Sequence, residues 1–343
     1  MKTGNSRRDF IRRALFGGAL TGLCSAFQAR AASVPAKLEG QQSPVDRRRL
    51  GRIGTDVSIV GLGLGGAFMR GYERNLDAGH ALLESALSHG INYWDTARSY
   101  GPSEAMLAPV LARNRSRVFL ASKSDSRDYD GFKRDLDRSL QVLRTDHIDL
   151  YHLHDMRPYE RANLGAIEAG AVRAAREAKD QKIIRAFGVT GHAGAGILIE
   201  CINRFDPDAV LTIFPCTRPD NGRYENELLP LARARKMGVI AMKTIRYARE
   251  ADLPARELLR YALSLDGVNT AIVGLDSLAH LNENAGVASS FKPMKEARRA
   301  ELCESAGIAL AGIPAPWDGA GYIDGVAWAG TELSGPREGP GLI

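Results

Sequence analysis

The chain is predicted to fold as an α/β protein: a single-domain (β/α)8 TIM barrel with an N-terminal hairpin and a C-terminal helix. Three observations carry this expectation. Short runs rich in β-branched and apolar residues recur eight times after Leu50. Their starts lie about 25 to 36 residues apart. The intervals carry apolar residues at steps of three and four, the period of a helix packed on one face. With 343 residues, 44% hydrophobic and 25% charged, there is material for one large core.

In chain order, residues 1–31 read as a leader. Ser6, Arg7, Arg8, Asp9, Phe10 and Ile11 form an S-R-R-x-F-I pattern, followed by a mildly apolar run from Ala14 to Phe27 and a small-residue A-x-A site at Ala29–Ala31. This is the layout of a twin-arginine export signal with cleavage after Ala31. It implies periplasmic or otherwise exported localisation, and a cytoplasmic one if the leader is unused. The run is short and glycine-containing, so no stable membrane span is expected in the mature chain. The export route carries folded proteins, which suits a tightly bound organic cofactor. Residues 32–48 read as a linker, and RRLGRIGTDVS, with Gly51 and Gly54, as a hairpin that closes the bottom of the barrel.

The barrel is expected over 49–311, with strands near 57–63, 91–97, 117–123, 148–154, 184–190, 209–215, 238–243 and 270–275. AGHALLESALSHG, FKRDLDRSLQVL and LLPLARARKMG are three of the helices between them. MKEARRAELCESAGIAL makes one more helix after the eighth strand, and 312–343, rich in Gly and Pro, reads as a loose tail.

The net charge of +6 does not make this a nucleic-acid-binding protein. Of 46 cations and 40 acids, six cations and only Asp9 lie within residues 1–31, which leaves 40 against 39 in the body. No basic patch interleaved with aromatics stands out there. After cleavage Cys201, Cys216 and Cys303 remain, at spacings that fit neither a CxxC pair nor a metal knuckle, so they are expected to be small buried hydrophobes.

A barrel carries its chemistry where its strands end. Asp95 and Tyr100 in WDTARSY, Lys123 in VFLASK and His154 in DLYHLH all stand there. Alternation turns Tyr93 and Asp95 one way and Trp94 the other, so Trp94 is expected in the core outside the lumen. His152 points with His154, deeper, and reads as a packing residue. An ammonium at Lys123 can favour the phenolate of Tyr100 and lower its pKa from about 10. A carboxylate at Asp95 can hold the lysine, and His154 can hydrogen-bond a substrate oxygen. Spacing alone leaves a buried Asp–Lys pair with unrelated neighbours equally open.

The DTAxxYG stretch at Asp95–Gly101, the strand-end Lys123 and the LYHLH strand ending at His154 resemble the catalytic tetrad motifs of the aldo-keto reductases. So do LGRIGTDVSIVGLGLG, GVTGH, VIAMK and IVGLDSLAHLNEN, in the same order, over roughly Arg49 to Ala288. The resemblance implies an NAD(P)H-dependent oxidoreductase acting on a small-molecule aldehyde or ketone. Tyr100 is then the general acid, Lys123 and Asp95 tune it, and His154 orients the carbonyl. For the cofactor, the resemblance implies Gly63 in the first-strand loop, and Thr190 and Gly191 near the carboxamide. It adds Gly274, Leu275, Asp276 and His280 in the eighth loop, and Glu283 with Asn284 near adenine.

Gly191 replaces the usual asparagine, IFPCTR the stretch that usually supplies a stacking tyrosine, and Gly274 and His280 the frequent basic pair for a 2′-phosphate. NADP is the expected cofactor by family habit, with NAD close behind. Asp155 follows His154 where many relatives carry tryptophan, so a more polar pocket is expected.

Gly61, Gly63 and Gly66 also spell G-x-G-x-x-G, but GAFMRGYERN does not read as the helix a dinucleotide fingerprint needs, and the next strand arrives only near Ile91. Two other functions compete: a Schiff-base aldolase using Lys123, and a nucleotide-binding sensor or partner subunit with vestigial chemistry. Neither the particular substrate nor the oligomeric state is written in these motifs.

Overall fold

The computed structural model describes residues 44–214, 221–245 and 252–313, together with Ala315, Trp317, Tyr322 and Asp324. The leader and nearly all of the expected linker lie outside the described residues.

Eight parallel strands close into a barrel: β3 (Val60–Gly63), β4 (Tyr93–Asp95), β5 (Phe119–Ser124), β6 (Ile148–Leu153), β7 (Ile184–Gly191), β8 (Ala209–Ile213), β9 (Gly238–Met242) and β10 (Thr270–Gly274). Each pairs with the next in sequence, and β10 returns to β3 with Gly274 opposite Gly63. The connecting helices are those their apolar period implies, including Leu76–Ser88, Tyr129–Leu143 and Ala195–Phe205, and Glu296–Ala309 follows the last strand. Asn75 caps the first of these and Asp128 the second, each side chain accepting from a backbone N–H three residues on.

Two expectations are corrected here. VSIVGLG is not one strand: Asp56–Ser58 (β2) pairs antiparallel with Arg47–Arg49 (β1), and the barrel strand starts only at Val60. The break has a local cause, because the Ser58 N–H donates to the Asn92 side chain and its hydroxyl reaches over to the Val60 carbonyl. A helix, Gly66–Tyr72, does begin at the third glycine of G-x-G-x-x-G, since Phe68, Met69 and Tyr72 give GAFMRGY a buried face. The closed barrel still differs from the open sheet that motif serves.

The hairpin seals the N-terminal end of the barrel. Leu50 is fully buried against Gly238 at the start of β9. Gly51 lies at φ +43°, and a Cβ there would stand 2.3 Å from the Gly238 nitrogen, so only glycine fits.

The lumen alternates as expected: Trp94 is buried in the core, and Tyr93 stacks on Phe119 at 5.4 Å. His152 is buried, and neither ring nitrogen has a partner among the described residues. Burial first, then Lys123, pushes its pKa well below 6.5, so it stays neutral. A Cβ at Gly188, its neighbour across the β6–β7 ladder, would come within 2.4 Å of its Nδ1. Cys201 is a buried thiol pushed up to about 12 by burial, Cys303 is half-buried and forms no disulfide among the described residues, and Cys216 lies outside the described residues. Among the described residues no helix is long and apolar enough to cross a membrane.

Candidate active site

Four predicted residues meet at the mouth. Asp95 ends β4, Lys123 lies near the end of β5 and His154 follows β6. The loop carrying Tyr100 is pinned to β5 by the Thr96 N–H on the Ala121 carbonyl and the Arg98 N–H on the Lys123 carbonyl. The Lys123 ammonium is buried, paired with Asp95, and donates to the Thr96 carbonyl at 2.7 Å. It stands 4.8 Å from the centroid of the Tyr100 ring. The rings of Tyr100 and His154 meet edge to face at 5.6 Å. Gly65 lies against the Tyr100 ring, where a Cβ would come within 3.2 Å.

The C-terminal segment enters this site, which corrects the expectation of a loose tail for the residues described there. Ala315, Trp317 and Asp324 are buried. The Tyr100 hydroxyl donates to Asp324 Oδ2 at 2.6 Å, and His154 Nε2 lies 3.2 Å from the same oxygen. Asp324 Oδ1 accepts from Lys243 Nζ at 3.1 Å and from the Tyr322 hydroxyl at 2.6 Å, with His192 Nε2 3.7 Å away. Packing explains what composition missed: the Trp317 ring lies tilted beside His192 at 6.1 Å, and Arg157 donates to the Tyr322 carbonyl at 2.7 Å.

These contacts set the charge states. For Tyr100, burial, then Asp324 and Asp95, push the pKa well above 10, so the expected lowering by Lys123 does not prevail with the tail in place. Burial opposes ionisation of Asp324, but Lys243, His192 and the hydrogen bond from His154 outweigh it and hold the carboxyl well below 3.8. Burial likewise opposes a charge on His154, yet Asp125 and Asp324 raise its pKa above 6.5. His154 Nδ1 is 2.9 Å from Asp125 and 3.2 Å from the Ser99 hydroxyl, so carboxylates flank both ring nitrogens and each favours an N–H. Asp95 is raised from 3.8 by burial against the opposing pull of Lys123.

A pH titration of 15N-histidine-labelled protein is therefore expected to show His154 changing charge above pH 6.5 while His152 stays neutral to well below it. Because the folded value of His154 is raised, its contribution to stability is full below pH 6.5 and is lost as pH rises through the folded value. A midpoint for His154 at or below 6.5 contradicts the two-carboxylate geometry.

The predicted cofactor residues form two groups beside the tetrad. Thr190 and Gly191 end β7, where the Thr190 hydroxyl accepts from the Asp155 N–H at 2.7 Å. A Cβ at Gly191 would lie 3.0 Å from the Met156 carbonyl, so a side chain there would be tight. Asp155 makes the mouth polar, as expected, pairing with Arg157 and with His192 Nδ1 at 2.8 Å.

Gly63 and Gly274 lie side by side at the ends of β3 and β10, a cradle that a Cβ on Gly63 would fill at 3.2 Å from the Gly274 nitrogen. Leu275 is buried just beyond, Asp276 pairs with His280 at 2.7 Å, Glu283 faces Arg256 at 3.8 Å, and Asn284 is buried on Leu278–Ser289. A side-chain-free cradle followed by polar groups fits a dinucleotide. Pro215–Arg218, within IFPCTR, lie outside the described residues. Among the described residues no cluster suited to a metal ion occurs.

Sequence reasoning missed Asp125, His192, Lys243, Tyr322 and Asp324. Lys243 and His192 stand directly after β9 and β7, so the strand-end rule that found Lys123 applies to them as well. Nothing in the tail's composition marks Asp324.

The model of the aldo/keto reductase family matches residues 60–249. The chain is 29% identical over 212 residues to the uncharacterized oxidoreductase YqkF of Bacillus subtilis, 57% of this chain and 63% of that protein, just under two thirds of its length. It is 26% identical over 295 residues to L-galactose dehydrogenase of Arabidopsis thaliana, 73% of this chain and 90% of that one. A crystal structure of a candidate aldo-keto reductase from Pseudomonas aeruginosa superposes with a TM-score of 0.62 at 26% identity, covering 72% of this chain and 97% of the other.

Proposed function

Since the chain belongs to the aldo/keto reductase family and is accordingly an oxidoreductase, we propose that it reduces an aldehyde or ketone to an alcohol with a nicotinamide dinucleotide. The observation that carries this reading is the Asp324 oxygen held by both Tyr100 and His154, because those two groups grip an oxygen where a carbonyl oxygen has to lie. When bound, the nicotinamide supplies the hydride that reaches the carbonyl carbon.

The chain's own residues do the rest. Tyr100 Oη gives its proton to the carbonyl oxygen as that oxygen gains charge, which completes the alcohol. His154 Nε2 orients the same oxygen. Lys123, fixed by Asp95 and the Thr96 carbonyl, stabilises the phenolate left on Tyr100. An ammonium so committed is poorly placed to serve as the free amine of an aldolase. Gly63, Gly274, Leu275, Asp276, His280, Glu283 and Asn284 would hold the dinucleotide, with Thr190 and Gly191 toward its nicotinamide. NADPH is the preferred form by family habit, with NADH close behind because Asp276 pairs with His280 where a 2′-phosphate would need free cations.

Residues 1–31 are proposed to direct export by the twin-arginine machinery, with the cofactor bound before transit.

Fluorescence titration with NADPH and NADH, followed by turnover of a carbonyl panel that includes sugars, given the name of the Arabidopsis relative, tests this reading. Binding of one dinucleotide with oxidation of it by at least one carbonyl is expected. Binding with no turnover across the panel favours the vestigial sensor instead.

A further inference from the structure

The most unusual feature of the mouth is that the chain itself fills it. Asp324 lies 224 residues from Tyr100, yet its carboxylate makes every contact a substrate oxygen requires. Oδ2 takes the Tyr100 hydroxyl and His154 Nε2, the two donors assigned above to the reacting carbonyl. Oδ1 faces Lys243, with His192 behind it. Among the described residues the nearby charges are otherwise matched: Lys123 is paired with Asp95, Arg157 with Asp155, and His154 with Asp125. Lys243 is paired with Asp324. When Asp324 leaves, the described residues of the mouth hold one cation in excess, so the occupant that best replaces it brings an oxygen for Tyr100 and a negative charge for Lys243.

We propose that Asp324 is an internal ligand: its carboxylate occupies the carbonyl-oxygen position, the C-terminal segment competes with substrate, and the position it vacates selects ligands bearing a carboxylate. This deepens the function proposed above and rests on it for the kinetic consequence, while the occupancy itself does not. Trp317 beside His192 and Tyr322 beneath Arg157 hold the segment down. Substrate binds only to the fraction of molecules whose mouth is open, so its apparent affinity is reduced by that fraction.

The test uses the full chain with Asp324→Ala, Asp324→Asn, which keeps the side-chain shape, and Trp317→Ala, which loosens the segment without touching the tetrad. Acetate is titrated into 15N-histidine-labelled protein, with acetamide as its neutral counterpart. In the Asp324→Ala protein acetate is expected to shift the His154 resonances and acetamide is not. Wild type is expected to need about tenfold more acetate, as for a mouth open one tenth of the time. Adding Lys243→Met to Asp324→Ala removes the advantage of acetate over acetamide. For any carbonyl the enzyme turns over, KM falls about tenfold in Asp324→Ala and Asp324→Asn, and in the same direction in Trp317→Ala.

Equal acetate binding by wild type and Asp324→Ala overturns the proposal, as does a KM that rises in the Asp324 variants, which would make Asp324 part of the productive substrate site. If no carbonyl is turned over by any of these proteins, the reductase reading fails while the acetate titration still decides the internal ligand.

Discussion

Tyr100→Phe is expected to lower kcat/KM for carbonyl reduction by about 10²–10⁴-fold while leaving dinucleotide binding and the melting temperature nearly unchanged. The phenol is placed to transfer a proton to the oxygen held beside His154, while the imidazole, with a carboxylate at each ring nitrogen, orients that oxygen. The change removes one oxygen and keeps the ring, so its packing against Gly65 and His154 survives. It also removes the bond to Asp324, which makes the mouth easier to open, so a fall in turnover cannot be ascribed to tighter closure. Steady-state kinetics with a fluorescence titration of cofactor checks this. Turnover equal to wild type, with cofactor still bound, removes Tyr100 from the role of general acid.

Lys123→Met is expected to cost about 3–5 kcal/mol of stability at neutral pH, because it leaves Asp95 buried and unpaired. The loss is expected to shrink on acidification. Burial already raises the folded pKa of Asp95 above 3.8 against the pull of Lys123, and without the lysine the protonated form is favoured further. A raised folded value means that stability from this group is present at low pH and is lost as pH rises through it.

Activity is expected to fall with stability in the single variant. The double variant Asp95→Leu/Lys123→Met separates the two effects, since a buried pair replaced by apolar side chains often regains stability. Denaturant unfolding at two pH values and kinetics on the double variant decide the matter. A stable double variant with wild-type turnover makes the pair purely structural.

The barrel was legible because each strand is a short apolar run between helical periods, and closure requires no more than that repetition. Trp94 and His152 were legible for the same reason: period-two alternation settles which way each side chain points once Asp95 and His154 are placed. The first strand was misread because VSIVGLG is apolar but for Ser58. Its break at Ser58 depends on Asn92, 34 residues away, and no local pattern carries that bond. The convergence of Asp95, Tyr100, Lys123 and His154 was legible through strand-end position and motif, whereas the high pKa of Tyr100 was not, since it comes from burial and from a carboxylate delivered by the far end of the chain. Gly and Pro in the tail signalled looseness, but Trp317 and Tyr322 are large enough to anchor a few ordered residues there.

The bond from residue 100 to residue 324 spans most of the polypeptide. On the ribosome, the eight strands and their helices are all synthesised before Asp324 emerges, so the mouth can assemble before its internal carboxylate arrives. Contacts of such long sequence separation form late. Synthesis from one end thus lets the barrel close before the carboxylate that caps it exists.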